Sequence, residues 1–334
     1  MTTPALIFDR GLMRRRLGRV AASGKADDFL VARAACELCE RLSAVRRAFS
    51  VILDCGTPTP RLALSLADQL QPQLLVRIAP HMETAGPKIL ASLVGDEENL
   101  PLAPERFDLA VSALSLQNLN DLPGALLQLR RTLKPDGLFL GCLLGGATLN
   151  ELRTALAAAE TEFSGGVSPR VAPFADVRDL GLLLQRAGFA LPVADSDALT
   201  IRYANMFALM ADLRAMGGAN ALAARLRKPS SKGLFLRAAE VYAERFSDPD
   251  GRVRATFEMI FLSGWAPHES QQKPLAPGSA KMRLADALRL QTPKGKWSAS
   301  TRRFQRSPRL LSAEFPRLAQ LARRRLRPPR ILWP

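Results

Sequence analysis

Short apolar runs recur at roughly thirty-residue intervals in the first half of this chain, with helical patterns between them, and this alternation limits the fold more than any other feature. Val51-Ile52-Leu53 runs into Asp54-Cys55-Gly56. Further strand-like runs follow at residues 74–78, 93–96, 107–112 and 138–143. Between them, residues 61–70 and 122–133 carry apolar residues at helical spacing, the second stopped by Lys134-Pro135-Asp136-Gly137. Strand, helix, strand in this rhythm means βαβ crossovers and a parallel sheet, and uninterrupted apolar strands mean a sheet covered on both faces. The expected architecture is a Rossmann-like α/β fold, a mostly parallel seven-stranded sheet with helices on both faces.

The flanking segments extend this pattern. Residues 12–17 form a short basic amphipathic helix, and residues 29–47 repeat Val31, Ala34, Ala35, Leu38, Leu42 and Val45 at spacings of three and four. Helices are expected again at 149–163, 177–188 and 206–216, and strands at 191–203 and 253–265. From residue 269 onward prolines punctuate a segment with few apolar runs. The expected organisation is an N-terminal basic arm and helix over 1–50, a main domain over 51–290 with a helical insertion around 204–250, and a basic tail over 291–334.

Charge separates the tail from the rest. Residues 291–334 hold twelve Lys or Arg and one acid, Glu314, a net of +11, leaving only +5 of the chain's +16 for residues 1–290. Interleaved aromatics in the tail are sparse, so no specific nucleic-acid site is expected, and phosphate attraction alone is non-specific. No run approaches the length of a membrane span, but basic segments can touch an anionic membrane surface. Cys36 and Cys39 form a C-x-x-C with no second pair, and the chain has only two histidines, His81 and His268. A structural zinc needs four ligands, so the pair is read as helix packing, with no metal expected.

In an open parallel sheet, ligands bind beyond the carboxyl ends of the strands at the switch point of strand order. Candidate residues therefore follow strands one to four: Asp54 to Pro60, Arg77, Asp96-Glu97-Glu98, and Leu114 to Asn118. Gly56 allows close backbone approach, whereas Pro58 and Pro60 fix φ and remove donors. An acid after the third strand can accept hydrogen bonds from an amine or hydroxyl. There is no Ser-His-Asp set, no P-loop and no metal-ligand spacing, and no catalytic residue can be assigned.

Asp96-Glu97-Glu98-Asn99-Leu100-Pro101 followed by Phe107-Asp108-Leu109-Ala110-Val111-Ser112 resembles class I S-adenosylmethionine (SAM) methyltransferases. Phe8-Asp9-Arg10, Asn120-Asp121-Leu122-Pro123, Leu133-Lys134-Pro135-Asp136-Gly137, Gly145-Gly146 and Arg186-Ala187-Gly188-Phe189 narrow the match. Together they resemble the bacterial relatives of the mitochondrial complex I assembly factor 5, arginine hydroxylases built on a methyltransferase fold. The resemblance spans residues 7–290. It implies SAM as cofactor, held by Asp54, Gly56, Thr57, Arg77, Asp96, Glu97, Ser112 and Leu114. It also implies a protein substrate such as a respiratory complex I subunit, and a bacterial cytoplasmic location, peripheral to the inner membrane. The chain departs from the family pattern at Pro58 and Pro60, which replace glycines, at Arg77, which replaces an acid, and at Gln117, which often aligns with histidine. Two readings follow: an enzyme that transfers methyl groups from SAM or assists complex I assembly, and an assembly protein of the same fold that binds SAM weakly or not at all.

Overall fold

The computed structural model describes residues 6–24, 28–81 and 91–272. The expected domain end at residue 290 and the basic tail lie outside them. Seven strands form one sheet: β1 (Val51–Cys55), β2 (Leu74–Ala79), β3 (Ala91–Val94), β4 (Phe107–Ala113), β5 (Leu133–Leu144), β6 (Ala190–Tyr203) and β7 (Val253–Trp265). Their order is β3-β2-β1-β4-β5-β7-β6. β1 to β5 pair in parallel, and β7 is antiparallel to both β5 and β6. Strand order reverses between β1 and β4, so the switch point lies where those two strands end.

Alternation along β1 builds both sides of the core. Ile52 and Leu53 are fully buried but belong to opposite faces. One face is covered by α2 (Phe29–Ser43), α3 (Arg61–Leu70), α5 (Asn150–Ser164), α7 (Met206–Ala215) and α8 (Lys232–Phe246). The other is covered by α4 (Leu122–Thr132) and α6 (Val177–Arg186). α7 and α8 lie between β6 and β7 in the chain. Caps fix several helix starts. The Asp121 carboxylate accepts from Gly124 N–H at 2.8 Å at the head of α4, and Ser231 Oγ accepts from Leu234 N–H at 3.2 Å at the head of α8.

Several boundaries differ from the sequence expectation, β3 among them at Ala91–Val94 rather than 93–96, and two of the differences have a clear physical reason. Residues 133–137, expected to end a helix, are the start of β5. Leu133 pairs with Phe107 and Leu138 with Leu109, so the Lys134-Pro135-Asp136-Gly137 turn is absorbed as a bulge, with Asp136 at φ 61°. α2 ends at Ser43 rather than near 47, where Arg47 turns to bond Asp136 Oδ2 at 2.6 Å. Asp108, of the Phe107-Asp108 pair, accepts from Ser50 and Val51 N–H at 3.1 and 2.9 Å and from Lys134 at 2.8 Å. It thereby ties the entry of β4 to β1 and β5.

α1 (Arg10–Ser23) is of another kind. No residue of it is buried. It runs from a capping Asp9, whose side chain accepts from Leu12 N–H, to Gly24 in the left-handed conformation. Its N-terminal approach pairs antiparallel with a distant segment, Phe8 opposite Leu222, with Ala223 N–H bonding Ile7 O at 2.8 Å.

Candidate cofactor site

A cavity of about 360 Å³ opens at the switch point, within the size range of small-molecule sites. Its two ends differ in chemistry. The end at the sheet is walled by Gly56, Thr59, Glu97, Ser115 and Gln117. The far end is walled by apolar side chains of α2, α5, α7 and α8, among them Val31, Leu156, Met210 and Phe235.

Backbone conformation shapes the polar end. Gly56 has φ 76°, and a Cβ placed there would sit 2.7 Å from both Glu97 Cγ and Ser115 Oγ. Only glycine fits between the β1 loop and these side chains. Leu114 and Leu149, both lining the cavity, hold φ values of 54° and 56°. Left-handed leucines are costly and persist where surrounding structure enforces them, which is typical of ligand sites. Leu114 is enforced by its own N–H, which bonds Cys142 O at 2.7 Å.

The eight residues expected at the cofactor divide into three groups. Gly56, Glu97 and Leu114 line the cavity. Asp54, Thr57, Arg77 and Ser112 are fully buried and lie outside its lining. Asp96 is partly exposed beside the acidic run and engaged by α1. The buried group forms a network. Arg77 stands next to Asp54 in the β1–β2 register, and its guanidinium bonds Asp54 Oδ2 at 2.5 Å and Thr57 O at 2.6 Å. Thr57 Oγ1 donates to Asp54 Oδ1 and accepts from Ala113 N–H at 3.1 Å. The Arg77 cation on β2 is thus held by the Asp54 carboxylate of the β1 loop, and the ion pair braces the loop from beneath. Ser112 Oγ and Ser115 Oγ lie 3.0 Å apart.

At the acidic run, Arg10 bonds Asp96 Oδ1 at 2.8 Å and Glu97 Oε2, and Arg14 reaches Asp96 Oδ2 at 2.6 Å. Burial works against the Arg10 cation, but Glu97, Asp96 and Glu98 outweigh it and raise its pKa. Partial burial likewise opposes ionisation of Asp96, yet the Glu98 N–H with Arg10 and Arg14 holds it below the usual carboxylate range. Glu98 lies 3.6 Å from Arg10 Nε through Oε2, while its Oε1 accepts from Asp121 N–H at 3.0 Å and from Asn120 N–H.

Among the described residues, Thr59 Oγ1 and Gln117 Oε1 are buried without a hydrogen-bond partner, and both residues line the cavity. Such atoms suit a polar ligand group. Sequence reasoning placed Thr59, Ser115 and Gln117 in the right loops but missed the role of Arg10. The signal for Arg10 was charge complementarity between an arginine-rich first helix and a three-acid run. No cluster of metal-ligating side chains occurs among the described residues, and none of their helices is long and apolar enough to cross a membrane.

Residues 53–141 match the family model described as a methyltransferase domain. The chain is 36% identical over 292 residues to arginine-hydroxylase NDUFAF5, mitochondrial, of Danio rerio, covering 85% of this chain and 90% of that protein. It is 38% identical to the Homo sapiens protein of the same name, covering 84% and 83%. It is 34% identical to the malonyl-[acyl-carrier protein] O-methyltransferase of Methylovorus sp. (strain MP688), covering 80% and 92%. With that sheet order and these relatives, the chain belongs to the SAM-dependent methyltransferase superfamily, in the group that includes the NDUFAF5 arginine hydroxylases and the malonyl-[acyl-carrier protein] O-methyltransferases.

Proposed function

We propose that the chain binds SAM at the polar end of the cavity and acts as a methyltransferase-type protein, modifying a protein acceptor or assisting assembly of respiratory complex I. The observation that carries this reading is the Gly56 cradle against Glu97 and Ser115, beside the unpartnered Thr59 and Gln117 oxygens. Gly56 and Leu114 would hold the cofactor by close backbone approach, Glu97 by accepting from its amines or hydroxyls, and Thr59 and Gln117 through their buried oxygens. Asp54, Thr57, Arg77 and Ser112 would support the loop from below, and Asp96 would orient Glu97 through the shared Arg10. When bound, SAM supplies an electrophilic methyl group. The chain's part is to position an acceptor and exclude water, which the apolar end does without an acid–base pair. The site would serve a bacterial cytoplasmic protein working beside the inner membrane.

A second reading, a weakly binding assembly protein of the same fold, is favoured by one observation: Asp54 is already neutralised by Arg77, so it cannot act as a free acceptor. Calorimetric titration of SAM into the full chain decides between them. The first reading expects a dissociation constant on the order of 10–100 μM, abolished by Glu97→Ala. No heat beyond dilution, from protein folded by circular dichroism, overturns it.

A further inference from the structure

The acids at the rim of the cavity already have partners, and those partners come from one helix. Arg10 joins Asp96 and Glu97, with Glu98 3.6 Å away, and Arg14 joins Asp96. The same helix sends Met13 and Leu17 into the cavity wall. Leu17 packs on Gly217, and Phe8 just before the helix is buried; the remaining attachments are polar. Ile7 and Phe8 N–H share Asn120 Oδ1, each at 2.8 Å, and Arg16 bonds the carbonyls of Ala219 and Asn220, each at 2.7 Å. α1 therefore lies across an apolar cavity with no buried residue of its own. Elements held this way, by few buried apolar contacts, open at low free-energy cost.

We propose that α1 is a lid on this cavity, latched shut by Arg10 and Arg14 on the carboxylates that a ligand would otherwise meet. Entry requires the helix to lift, and a ligand bearing amines or hydroxyls competes with the two guanidinium groups for Asp96 and Glu97. The latch rests on the cofactor reading only for its ligand. A net cationic ligand such as SAM gains twice from release, through freed acceptors and through removal of two like charges. Arg14 and Asp96 are each about one-third exposed, so their pair weakens with salt.

Gly18 supplies a direct test. A Cβ at Gly18 would lie 3.7 Å from the Cβ of His81, inside the disulfide range of about 3.5–4.5 Å. Gly18→Cys/His81→Cys, oxidised, should clamp the lid to the loop after β2. Uptake of the dye 1-anilinonaphthalene-8-sulfonate and of SAM by the full chain should then slow at least about tenfold, and dithiothreitol should restore it. Separately, Arg10→Gln/Arg14→Gln should speed amide exchange over residues 10–23 by about tenfold or more while leaving residues 107–113 of β4 unchanged. Equal dye uptake by oxidised and reduced protein overturns the lid. So does unchanged exchange over 10–23, or faster exchange that spreads to β4. If SAM binds no form but dye and exchange follow the latch, the lid stands and the cofactor reading falls.

Discussion

Breaking the Arg77–Asp54 pair should be the most damaging polar substitution in the described residues. Both side chains have zero exposure, and the pair is close at 2.5 Å, with a second guanidinium bond to Thr57 O at 2.6 Å. Arg77→Met removes the cation but keeps much of the side-chain length. Asp54 is then a carboxylate in the sheet interior that has lost its bond to the Arg77 guanidinium, and Thr57 O loses a donor. Removing one partner of a buried ion pair costs about 3–5 kcal/mol. At about 2–4 °C per kcal/mol for a domain of this size, the midpoint of thermal unfolding should fall by roughly 6–20 °C. Asp54→Leu should cost a similar amount, because it removes the carboxylate that the buried guanidinium bonds.

The double variant is the decisive arm. Replacing both charges by apolar groups of similar volume is often neutral or stabilising. Arg77→Met/Asp54→Leu should therefore recover at least half the single-variant loss. In a urea-unfolding double-mutant cycle the coupling should exceed about 2 kcal/mol. Additive losses, or a shift below about 2 °C for Arg77→Met, would refute the argument that this pair braces the β1 loop.

Three further perturbations test other parts of the molecule. Burial opposes ionisation of Glu160, but Arg170, with Ser168, holds its pKa down at about 2 against an ordinary 4.5. A depressed folded pKa stabilises fully above the unfolded value and is lost as pH falls through the folded one. The wild-type protein should therefore lose stability from near pH 4.5 down to about 2, and Glu160→Gln should flatten that limb of a pH–melting curve; parallel curves would contradict the assignment. Cys36 is exposed, while burial pushes Cys39 up to about 11 and raises Cys55 and Cys142 further. Titration of the native chain with an aromatic disulfide near neutral pH should release about one equivalent quickly, and two fast equivalents would revive a reactive C-x-x-C. Gly56→Ala adds a strained left-handed alanine and a Cβ 2.7 Å from Glu97 Cγ, so it should lower stability by about 1–3 kcal/mol and weaken SAM binding. A variant with wild-type melting and affinity would show that the loop has slack.

How far the sequence could be read depended on distance along the chain. Strands β1, β2 and β4 announce themselves because each is an apolar run bounded by polar turns, and nothing remote is needed to form them. β5 was legible only in its second half. Lys134-Pro135-Asp136-Gly137 has the local chemistry of a turn, and the Leu133–Phe107 pairing that makes it a bulge is a tertiary fact. The candidate site shows the same division. Gly56 was visible as a turn glycine, but the reason for it, Glu97 and Ser115 pressing on its Cα, comes from residues some forty to sixty positions away. Arg77 looked like a defect in a cofactor motif because the motif was read as a row of independent positions. In the sheet, Asp54 and Arg77 are register neighbours, so an acid and a base satisfy one another where two acids would have needed an external partner. Arg10 and the 96–98 acids repeat that logic across 86 residues. Beneath the β1 loop and at the cavity rim, then, a carboxylate meets an internal guanidinium, one in the core and one on a helix with no buried residue. On the proposed cofactor and lid readings, the core pair would bear on how strongly a cofactor is held, and the α1 pair on how readily it enters. Variants at Arg77 should therefore act on equilibrium affinity and stability together, whereas variants at Arg10 and Arg14 should act first on the association rate. Stopped-flow and equilibrium titrations on the same set of proteins separate the two, and an Arg10 variant that changed only the dissociation rate would break the distinction.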